Sequence, residues 1–175
     1  MGGSFTENEI HQICSYCHSK PLVFVETGTY HGDSTIVASK IFPQVITFEI
    51  SQTLYEGNRS KFEHIPNIQA YLGDSLVLLP TIVPSIQSGF YFLDAHQSDV
   101  DTENNGIWVP LLQELAIILK YIKKGSIIVI DDVRLFDGPW DWKGISVDTI
   151  LQLCKGIETP FKDSKIANDR LIIYW

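Results

Sequence analysis

The stretch Leu22–Thr35, with the sequence LVFVETGTYHGDST, limits the fold of this chain more than any other feature. It opens with four apolar residues, two of them β-branched, a pattern typical of a strand buried on both faces at the centre of a parallel sheet. Glu26 stands where this strand ends, and Gly28 and Gly32 follow on either side of Tyr30. Small polar residues then begin a helix. A strand, a glycine-containing turn and a helix N-terminus predict a binding corner for a nucleotide-like ligand.

The spacing of the glycines limits which nucleotide can bind. The dinucleotide fingerprint G-x-G-x-x-G needs bare backbone beneath a pyrophosphate, but Tyr30 stands at the second glycine position. No Gly-Lys-Ser/Thr sequence follows, which excludes a P-loop. An NAD(P) oxidoreductase is therefore disfavoured, and a nucleoside ligand without phosphates is favoured.

The pattern that remains, E-x-G-x-x-x-G from Glu26 to Gly32, resembles motif I of the class I S-adenosylmethionine (SAM) methyltransferases. The form ETGTYHGDST is most similar to the subgroup that includes catechol O-methyltransferase and the macrocin-type sugar O-methyltransferases, in which a Tyr also occupies this position. The resemblance extends from Leu22 to Trp175. It implies SAM as the cofactor and a sheet of strand order 3-2-1-4-5-7-6 with strand seven antiparallel.

Hydrophobic patterns along the chain alternate between strand and helix and end in a hairpin, which predicts an α/β fold with a doubly wound, Rossmann-like sheet and helices on both faces. The predicted strands are Leu22–Val25, Gln44–Phe48, Ile68–Leu72, Gly89–Leu93, Ser126–Ile130, Ile157–Lys162 and Arg170–Trp175. The predicted helices run from Thr6 or Asn8 to about Ser19, and over Asp33–Ile41, Thr53–Phe62, Leu76–Ile86, Val109–Ile122 and Ser146–Cys154. The length of 175 residues predicts one domain, with an N-terminal helix in residues 1–20 and a core in residues 21–175.

Composition narrows the classes of partner. The net charge is −8, without a run of Lys or Arg, so a nucleic-acid partner is disfavoured. The apolar runs are far shorter than the ~20 residues that a membrane span needs. No signal peptide opens the chain, and the three cysteines, Cys14, Cys17 and Cys154, fit a reducing compartment. We therefore expect a cytoplasmic protein, and the resemblance implies a small molecule or a glycan as its acceptor.

Two patterns near the N-terminus suggest other functions. Met1–Thr6 fits the loose N-myristoylation pattern M-G-x-x-x-[ST] but is equally compatible with a disordered start. Cys14–His18 has the C-x-x-C-H spacing of haem attachment, which requires export. Both cysteines share a helical face with Ile10 and Ile13, so we favour an amphipathic helix that packs half-buried thiols.

Acidic residues end four of the predicted strands: Glu26, Glu49, Asp94 and Asp131. In a doubly wound sheet, ligands bind beyond the carboxyl ends of the strands, near the switch point beside strand one. Four carboxylates in one crevice would repel one another unless cations or hydroxyls satisfied them. This recurrence places the predicted site at that edge of the sheet.

The resemblance assigns roles at the cofactor. Glu49 accepts both ribose hydroxyls, Asp74 accepts from the adenine amino group beside the Ser75 backbone, Glu26 faces the amino end of the methionine part, and Ser34 binds its carboxylate at a helix start. Glu49 taken alone also fits a helix cap, and Asp74 can cap a helix while it binds adenine. The full predicted cofactor-binding set is Glu26, Gly28, Thr29, Tyr30, Ser34, Glu49, Ile50, Asp74, Ser75 and Asp94.

The chemistry is predicted to involve Asp94 and His96 as catalytic residues. SAM carries an activated methyl group, so the enzyme must align an acceptor hydroxyl with it and make that hydroxyl nucleophilic. A divalent ion lowers the pKa of the hydroxyl, and a base takes its proton. The segments LDAH and IDDV resemble the metal-binding segments of the subgroup, which implies that Asp94, Asp131 and Asp132 bind Mg²⁺ or another divalent cation. Catechol enzymes have Asn at the position of Asp132. The alternative for this aspartate pair is that it caps the next turn.

His96 departs from the macrocin-type pattern, in which an Asp at this position is the proposed general base. Imidazole is chemically suited to the same role. The next acidic residues, Asp99, Asp101 and Glu103, suggest a calcium loop, but the sixth position of such a loop needs Gly and here is Asn104. We expect these three residues to form a solvated loop.

Four aromatic residues lie in or beside the two loops over the predicted site: Trp108, Phe136, Trp140 and Trp142. Aromatic faces suit flat or sugar-like acceptors, but the same residues would also serve as anchors that bury the loops or as a subunit contact.

Together these features predict a SAM-dependent O-methyltransferase that acts on a hydroxyl of a sugar or glycan with the help of a divalent metal. The alternatives are an O-methyltransferase of a catechol or another small phenol, and a catalytically inactive SAM-binding module. Because the chain is close in size to a minimal catalytic core, we also expect a homo-oligomer in which neighbouring subunits complete the acceptor pocket.

Overall fold

Seven strands form one sheet in the order β3-β2-β1-β4-β5-β7-β6 in the computed structural model, which describes residues 3–17, 20–96 and 106–175. The strands are β1 Val23–Thr27, β2 Gln44–Glu49, β3 Ile68–Leu72, β4 Gly89–Leu93, β5 Ile127–Ile130, β6 Asp163–Ala167 and β7 Arg170–Tyr174. The pairs among β1 to β5 are parallel, and β7 is antiparallel to both of its neighbours. This confirms the predicted doubly wound α/β sheet and its strand order.

Helices connect the strands, and polar side chains cap the first turns of four of them. The helices are α1 Glu7–Cys14, α2 Asp33–Ser39, α3 Gln52–Phe62, α4 Ser75–Ile82, α5 Leu111–Leu119 and α6 Val147–Lys155. Thr6 and Glu9 form a capping box at the start of α1. Ser51 and Asp74 accept hydrogen bonds from backbone N–H groups in the first turns of α3 and α4.

The core consists of two apolar clusters on opposite faces of the sheet. Side chains alternate between the faces along β4, so Phe90 and Phe92 pack with residues of α1 and α2, and Tyr91 and Leu93 pack with residues of α4, α5 and α6. A strand covered on both faces needs apolar residues at every position, which explains the continuous apolar sequence of the central strands.

Four helices, α1, α2, α4 and α5, are shorter than the sequence predicted. The helix α5 covers Leu111–Leu119 instead of Val109–Ile122. The described part of α1 ends at Cys14, and α4 ends at Ile82. After α4 the chain continues as a short 3₁₀ helix, Val83–Ser85. Pro84 explains this change because it has no N–H to donate to the carbonyl group four residues earlier, as a continued α-helix requires.

The prediction of strand six at Ile157–Lys162 is wrong, because β6 is Asp163–Ala167. Asn168 and Asp169 connect β6 to β7 and have φ angles of +51° and +64°. Two consecutive residues at positive φ make the tight hairpin turn that matches the twist of antiparallel strands, so β6 must directly precede them. As an exposed edge strand, β6 also lacks the apolar pattern on which the prediction relied.

Several predicted features lie outside the described residues. They are Met1 and Gly2 of the myristoylation pattern, His18 of the haem pattern, and the acidic loop residues Asp99, Asp101 and Glu103. No helix in the described ranges is both long and apolar enough to cross a membrane. The division into residues 1–20 and 21–175 stays a prediction.

Candidate functional site

The carboxyl ends of β1, β2, β4 and β5 open into a cleft of about 390 Å³. The four acidic strand ends line this cleft, which brings Glu26, Glu49, Asp94 and Asp131 together as predicted. Every residue of the predicted cofactor-binding, catalytic and metal sets lines the same cleft. The residues of the predicted site therefore lie together in one cleft, and the roles assigned to them stay predictions.

The glycine turn after β1 is close to the end of β4. Gly28 has a φ of +80°, and a Cβ atom built on it would lie 2.9 Å from the carbonyl oxygen of Asp94. The N–H groups of Gly28 and Thr29 both donate to the carbonyl oxygen of Phe48, at 3.0 and 3.2 Å. Only glycine combines this backbone conformation with so close an approach, so the turn keeps bare backbone at the floor of the cleft.

Two backbone amides hold the carboxylate of Glu49. The Tyr30 N–H donates to Oε2 at 2.8 Å, and the Ser51 N–H donates to Oε1 at 3.0 Å. Tyr30 has a φ of +48°, and its carbonyl oxygen accepts from the Asn58 side chain. A carboxylate offers two acceptor oxygens to two neighbouring donors, so this orientation is compatible with the predicted binding of two ribose hydroxyls.

Asp74 caps α4, and its Oδ1 accepts from the Leu76 N–H at 2.8 Å. The neighbouring Ser75 hydroxyl donates to Oε1 of Glu114, whose Oε2 accepts from the Thr27 hydroxyl at 3.0 Å. Glu114 is fully buried, and burial raises the pKa of its carboxyl group to about 7. Through these two hydrogen bonds, Glu114 links the end of β1 to the start of α4 beneath the cleft.

Sequence reasoning missed Glu114, although it left a signal. Glu114 lies on α5, on the helical face that also carries Leu111, Leu115 and Ile118, all of them buried. An acidic residue on the apolar face of a helix must find polar partners in the interior.

Glu26 is also buried in the floor of the cleft. Its Oε2 accepts hydrogen bonds from the hydroxyls of Thr35 and Thr47. Burial raises the pKa of Glu26 to about 7, against the opposing effect of these two hydroxyls. Glu26 thus lies at the cleft as predicted, but two threonine hydroxyls already bond to one of its carboxylate oxygens.

Asp94, His96 and Asp132 form the group that is best placed to hold a cation. One potential ligand atom from each lies within 4.8 Å of the others. His96 Nε2 lies 3.2 Å from Asp132 Oδ2, and His96 Nδ1 lies 3.7 Å from Asp94 Oδ1. Two carboxylates and an imidazole form a donor set that suits a divalent metal ion.

Electrostatic interactions in this group also favour a cation. Burial and the carboxylates of Asp131 and Asp132 hold the pKa of Asp94 well above its usual range. Burial lowers the pKa of His96, although Asp132 acts in the opposite direction. The imidazole is therefore neutral near pH 7, as a metal ligand or a general base must be.

Asp131, the third predicted metal ligand, faces a different partner. Its Oδ1 lies 3.3 Å from Nε of Arg170 and accepts the N–H of Asp132 at 3.0 Å. The carboxylate of Asp132 instead contacts His96 and Arg134, so the two neighbouring carboxylates have different partners. The structure thus brings Asp94 and Asp132 together with His96, and metal binding by any of them stays a prediction.

Two arginines beside the site were missed by the sequence reasoning. Arg134 lines the cleft and forms ion pairs with Asp132 and Asp169. Arg170 is only 4% exposed and pairs with Asp131 and with Glu9. The signal for Arg170 was a charged residue at the start of the otherwise apolar strand RLIIY, which requires a buried partner.

Aromatic side chains lie close to the candidate metal group. The ring of Trp142 meets the His96 ring edge to face, with centroids 5.4 Å apart, and lies 6.1 Å from the ring of Phe136. Trp108 lines the cleft and is 48% exposed. Trp142 therefore acts as an anchor of its loop, and Trp108 presents an aromatic face beside the cleft.

No family model and no curated protein matches the sequence. Solved structures match almost the whole chain. The O-methyltransferase TomG from Streptomyces achromogenes, involved in tomaymycin synthesis and solved with SAM, is 17% identical with a TM-score of 0.68, over 96% of this chain and 78% of TomG. The O-methyltransferase from Bacillus cereus, solved with S-adenosylhomocysteine (SAH), is 18% identical with a TM-score of 0.60, over 97% of this chain and 90% of that chain.

A third similar structure contains a metal ion. MycE, a methyltransferase from the mycinamycin biosynthetic pathway solved with Mg and SAH, is 14% identical with a TM-score of 0.65, over 95% of this chain and 48% of MycE. The chain therefore has the fold of the class I SAM-dependent methyltransferases, as the resemblance of its sequence implied.

Proposed function

We propose that the protein is a SAM-dependent O-methyltransferase that transfers a methyl group to a hydroxyl of a sugar or glycan with the help of a divalent cation. One observation carries the proposal. A single cleft at the switch point of the sheet combines the oriented carboxylates of Glu49 and Asp74 with the group of Asp94, His96 and Asp132.

The cofactor half of the proposal is supported by the residues around the glycine turn. Backbone amides orient the carboxylate of Glu49, whose two oxygens suit two neighbouring hydroxyl donors. Gly28 leaves room for a ligand against the backbone, and Ser34 is placed at the start of α2. TomG and the Bacillus cereus enzyme, which share this fold, were solved with SAM and SAH respectively.

The chemical half rests on the Asp94, His96 and Asp132 group. When bound, SAM supplies a methyl group on a sulfonium, and a divalent ion lowers the pKa of an acceptor hydroxyl. Asp94 and Asp132 hold the cation in this proposal, and their donor oxygens fit Mg²⁺. His96, which is neutral because it is buried, takes the proton of the acceptor hydroxyl as a general base.

The sugar acceptor rests on the resemblance to the macrocin-type enzymes, and the exposed face of Trp108 suits a sugar ring. The same aromatic face would also stack on a catechol or another small phenol, which is the second candidate acceptor. A cytoplasmic location is proposed with the function and rests on the composition alone.

Calorimetric titration with SAH tests the cofactor site. We expect micromolar binding by the wild-type protein and a loss of about tenfold in affinity for Glu49→Gln, which removes a charged acceptor of hydrogen bonds. Glu56→Gln is the matched control, because Glu56 lies on α3 outside the cleft and its side chain is 48% exposed. A folded wild-type protein that binds no SAH would refute the proposed function.

A screen of acceptors then separates the candidate reactions. The purified protein is incubated with SAM, Mg²⁺ and panels of sugars and of catechols, and methylated products are detected by mass spectrometry. Methylation of a sugar hydroxyl is the expected result, and methylation of catechols alone would establish the phenol alternative. SAH binding without any methyl transfer would instead indicate the inactive SAM-binding module.

A further inference from the structure

The residues Gly3–Phe5, here called the N-terminal segment, run along the cleft at the start of α2. Gly3 and Ser4 line the cleft together with Ser34. The N–H of Phe5 donates to Oγ of Ser34 at 3.2 Å, in a buried hydrogen bond between residues 29 positions apart. The segment is therefore next to the residue that is proposed to bind the carboxylate of the cofactor.

Phe5 fixes the segment to the sheet. Its side chain is 2% exposed, and its ring centroid lies 4.6 Å from that of Phe92 and 5.9 Å from that of Phe90. The capping box of Thr6 and Glu9 follows at once and sets the direction in which the chain enters α1. The packing of Phe5 and the capping box of α1 thus fix the position of the segment beside the cleft.

Arg170 connects the segment to the end of β5. Its guanidinium group donates to the carbonyl oxygen of Gly3, and its central carbon lies 4.1 Å from the centre of the Phe5 ring. The same guanidinium lies 3.3 Å from Asp131. A planar guanidinium group can contact the Gly3 carbonyl, the Phe5 ring and the Asp131 carboxylate at once, whereas the ammonium group of a lysine cannot.

We propose that the N-terminal segment is part of the cofactor-binding site, where it covers the amino-acid end of the cofactor, and that Arg170 is the positioning residue that holds it there. The proposal rests on the proposed function, because it takes SAM as the ligand. Ser34 accepts the N–H of Phe5, so its own hydroxyl hydrogen is directed to another acceptor. The carboxylate of the methionine part would be such an acceptor.

Two ligands that differ only in the amino-acid end give the sharpest test. SAH carries this end, and 5′-methylthioadenosine has the same nucleoside without it. For Phe5→Leu we expect SAH to bind about fivefold more weakly, while the affinity for 5′-methylthioadenosine stays unchanged. Arg170→Lys should show the same selective loss, because lysine retains the charge beside Asp131 but loses the fork that reaches Gly3.

Phe42→Leu is the matched control for Phe5→Leu. Phe42 is also 2% exposed and belongs to the same aromatic cluster, where its ring lies 5.5 Å from those of Phe24 and Phe90, but it does not line the cleft. We expect Phe42→Leu to lower the melting temperature by a similar amount and to leave the affinities for both ligands unchanged. This comparison separates a role in binding from a general loss of stability.

Hydrogen exchange of the wild-type protein gives a second readout. SAH should slow exchange in the peptide that contains residues 3–9, and 5′-methylthioadenosine should not. Equal losses of affinity for both ligands in Phe5→Leu, or unchanged SAH affinity, would overturn the proposal while the methyltransferase function stands. If the wild-type protein binds 5′-methylthioadenosine but not SAH, or binds neither, the proposed function fails as well.

Discussion

At the scale of single residues, burial determines the protonation of the acids beneath the cleft. Glu26 and Glu114 are both fully enclosed, and desolvation raises the pKa of each to about 7. Hydroxyl groups of threonine and serine satisfy part of each carboxyl group. At neutral pH these two acids therefore contribute less negative charge than the sequence suggests.

The stability of the protein should depend on the protonation of Glu114. An acid whose folded pKa is raised binds more protons when folded than when unfolded, so its contribution to stability is complete below about pH 4.5 and is lost as the pH rises through about 7. Glu114→Gln keeps the shape without the charge. We expect denaturant unfolding to show that this variant gains stability relative to wild type between pH 5 and pH 8, by up to about 3 kcal/mol.

Glu56→Gln serves as the control for this measurement, because its side chain is half exposed on α3. Its stability should follow that of the wild-type protein at every pH. If the pH profiles of Glu114→Gln and wild type are parallel, the raised pKa of Glu114 is refuted.

His96 is expected to act as the general base that takes the proton of the acceptor hydroxyl. We expect His96→Ala to lower kcat for methyl transfer about 10²- to 10⁴-fold, the usual contribution of a general base, with little change in SAH affinity. The assay uses the acceptor that the screen identifies, and Mn²⁺ binding is followed by electron paramagnetic resonance. His64→Ala is the control, because His64 is 84% exposed outside the cleft. Full activity of His96→Ala would exclude it as the base, and a loss of Mn²⁺ affinity would make it a metal ligand.

At the scale of secondary-structure elements, the junction between β1 and α2 determines the shape of the cleft. The turn at Gly28 touches the end of β4, and the buried hydroxyls of Thr35 on α2 and Thr47 on β2 meet at Glu26. These two hydroxyls therefore link α2 and β2 to the acidic residue at the end of β1. A local change in this turn should affect both folding and binding.

Gly28→Ala tests this junction. The added methyl group would lie 2.9 Å from the Asp94 carbonyl oxygen at a φ of +80°, so we expect a loss of about 1–3 kcal/mol in stability and weaker SAH binding. Gly57→Ala is the matched control, because Gly57 lies within α3 with no atom within 4 Å of an added Cβ. It should stabilise the protein by about 0.5–1 kcal/mol. Thermal and denaturant unfolding measure both variants, and equal stability of Gly28→Ala and wild type would contradict the expectation.

At the scale of the whole molecule, the cleft is strongly acidic. Seven of its lining residues are Asp or Glu: Glu26, Asp33, Glu49, Asp74, Asp94, Asp131 and Asp132. Arg134 is the one arginine or lysine that lines the cleft in the described ranges. A cleft of this charge attracts cationic ligands, which agrees with the sulfonium of SAM and with a divalent ion.

The oligomeric state is a prediction about the whole molecule. Trp108 is 48% exposed beside the cleft, and a neighbouring subunit or a bound acceptor would cover it. We expect size-exclusion chromatography with light scattering to show a dimer or a larger oligomer. A monomer with full methyl-transfer activity would contradict the prediction that subunits complete the acceptor pocket.

Local sequence was enough to predict most of the fold. The central strands are continuous apolar segments because both of their faces are covered. The side chains that cap helices bond to groups two or three positions along the chain. The order of the sheet followed from the resemblance. Strand β6 was misplaced because an exposed edge strand carries no apolar pattern, and only the turn at Asn168 and Asp169 defines it.

By itself, then, the sequence determined the class of fold, the position of the cleft and most of the acidic residues that line it. Only the tertiary structure decided how these side chains pair. The partners of Glu114 lie 39 and 87 positions away, and Arg170 reaches Gly3 across 167 positions. Such pairs depend on how the elements pack, so His96 joins Asp94 and Asp132 while Asp131 faces Arg170, for reasons of geometry that no local pattern contains.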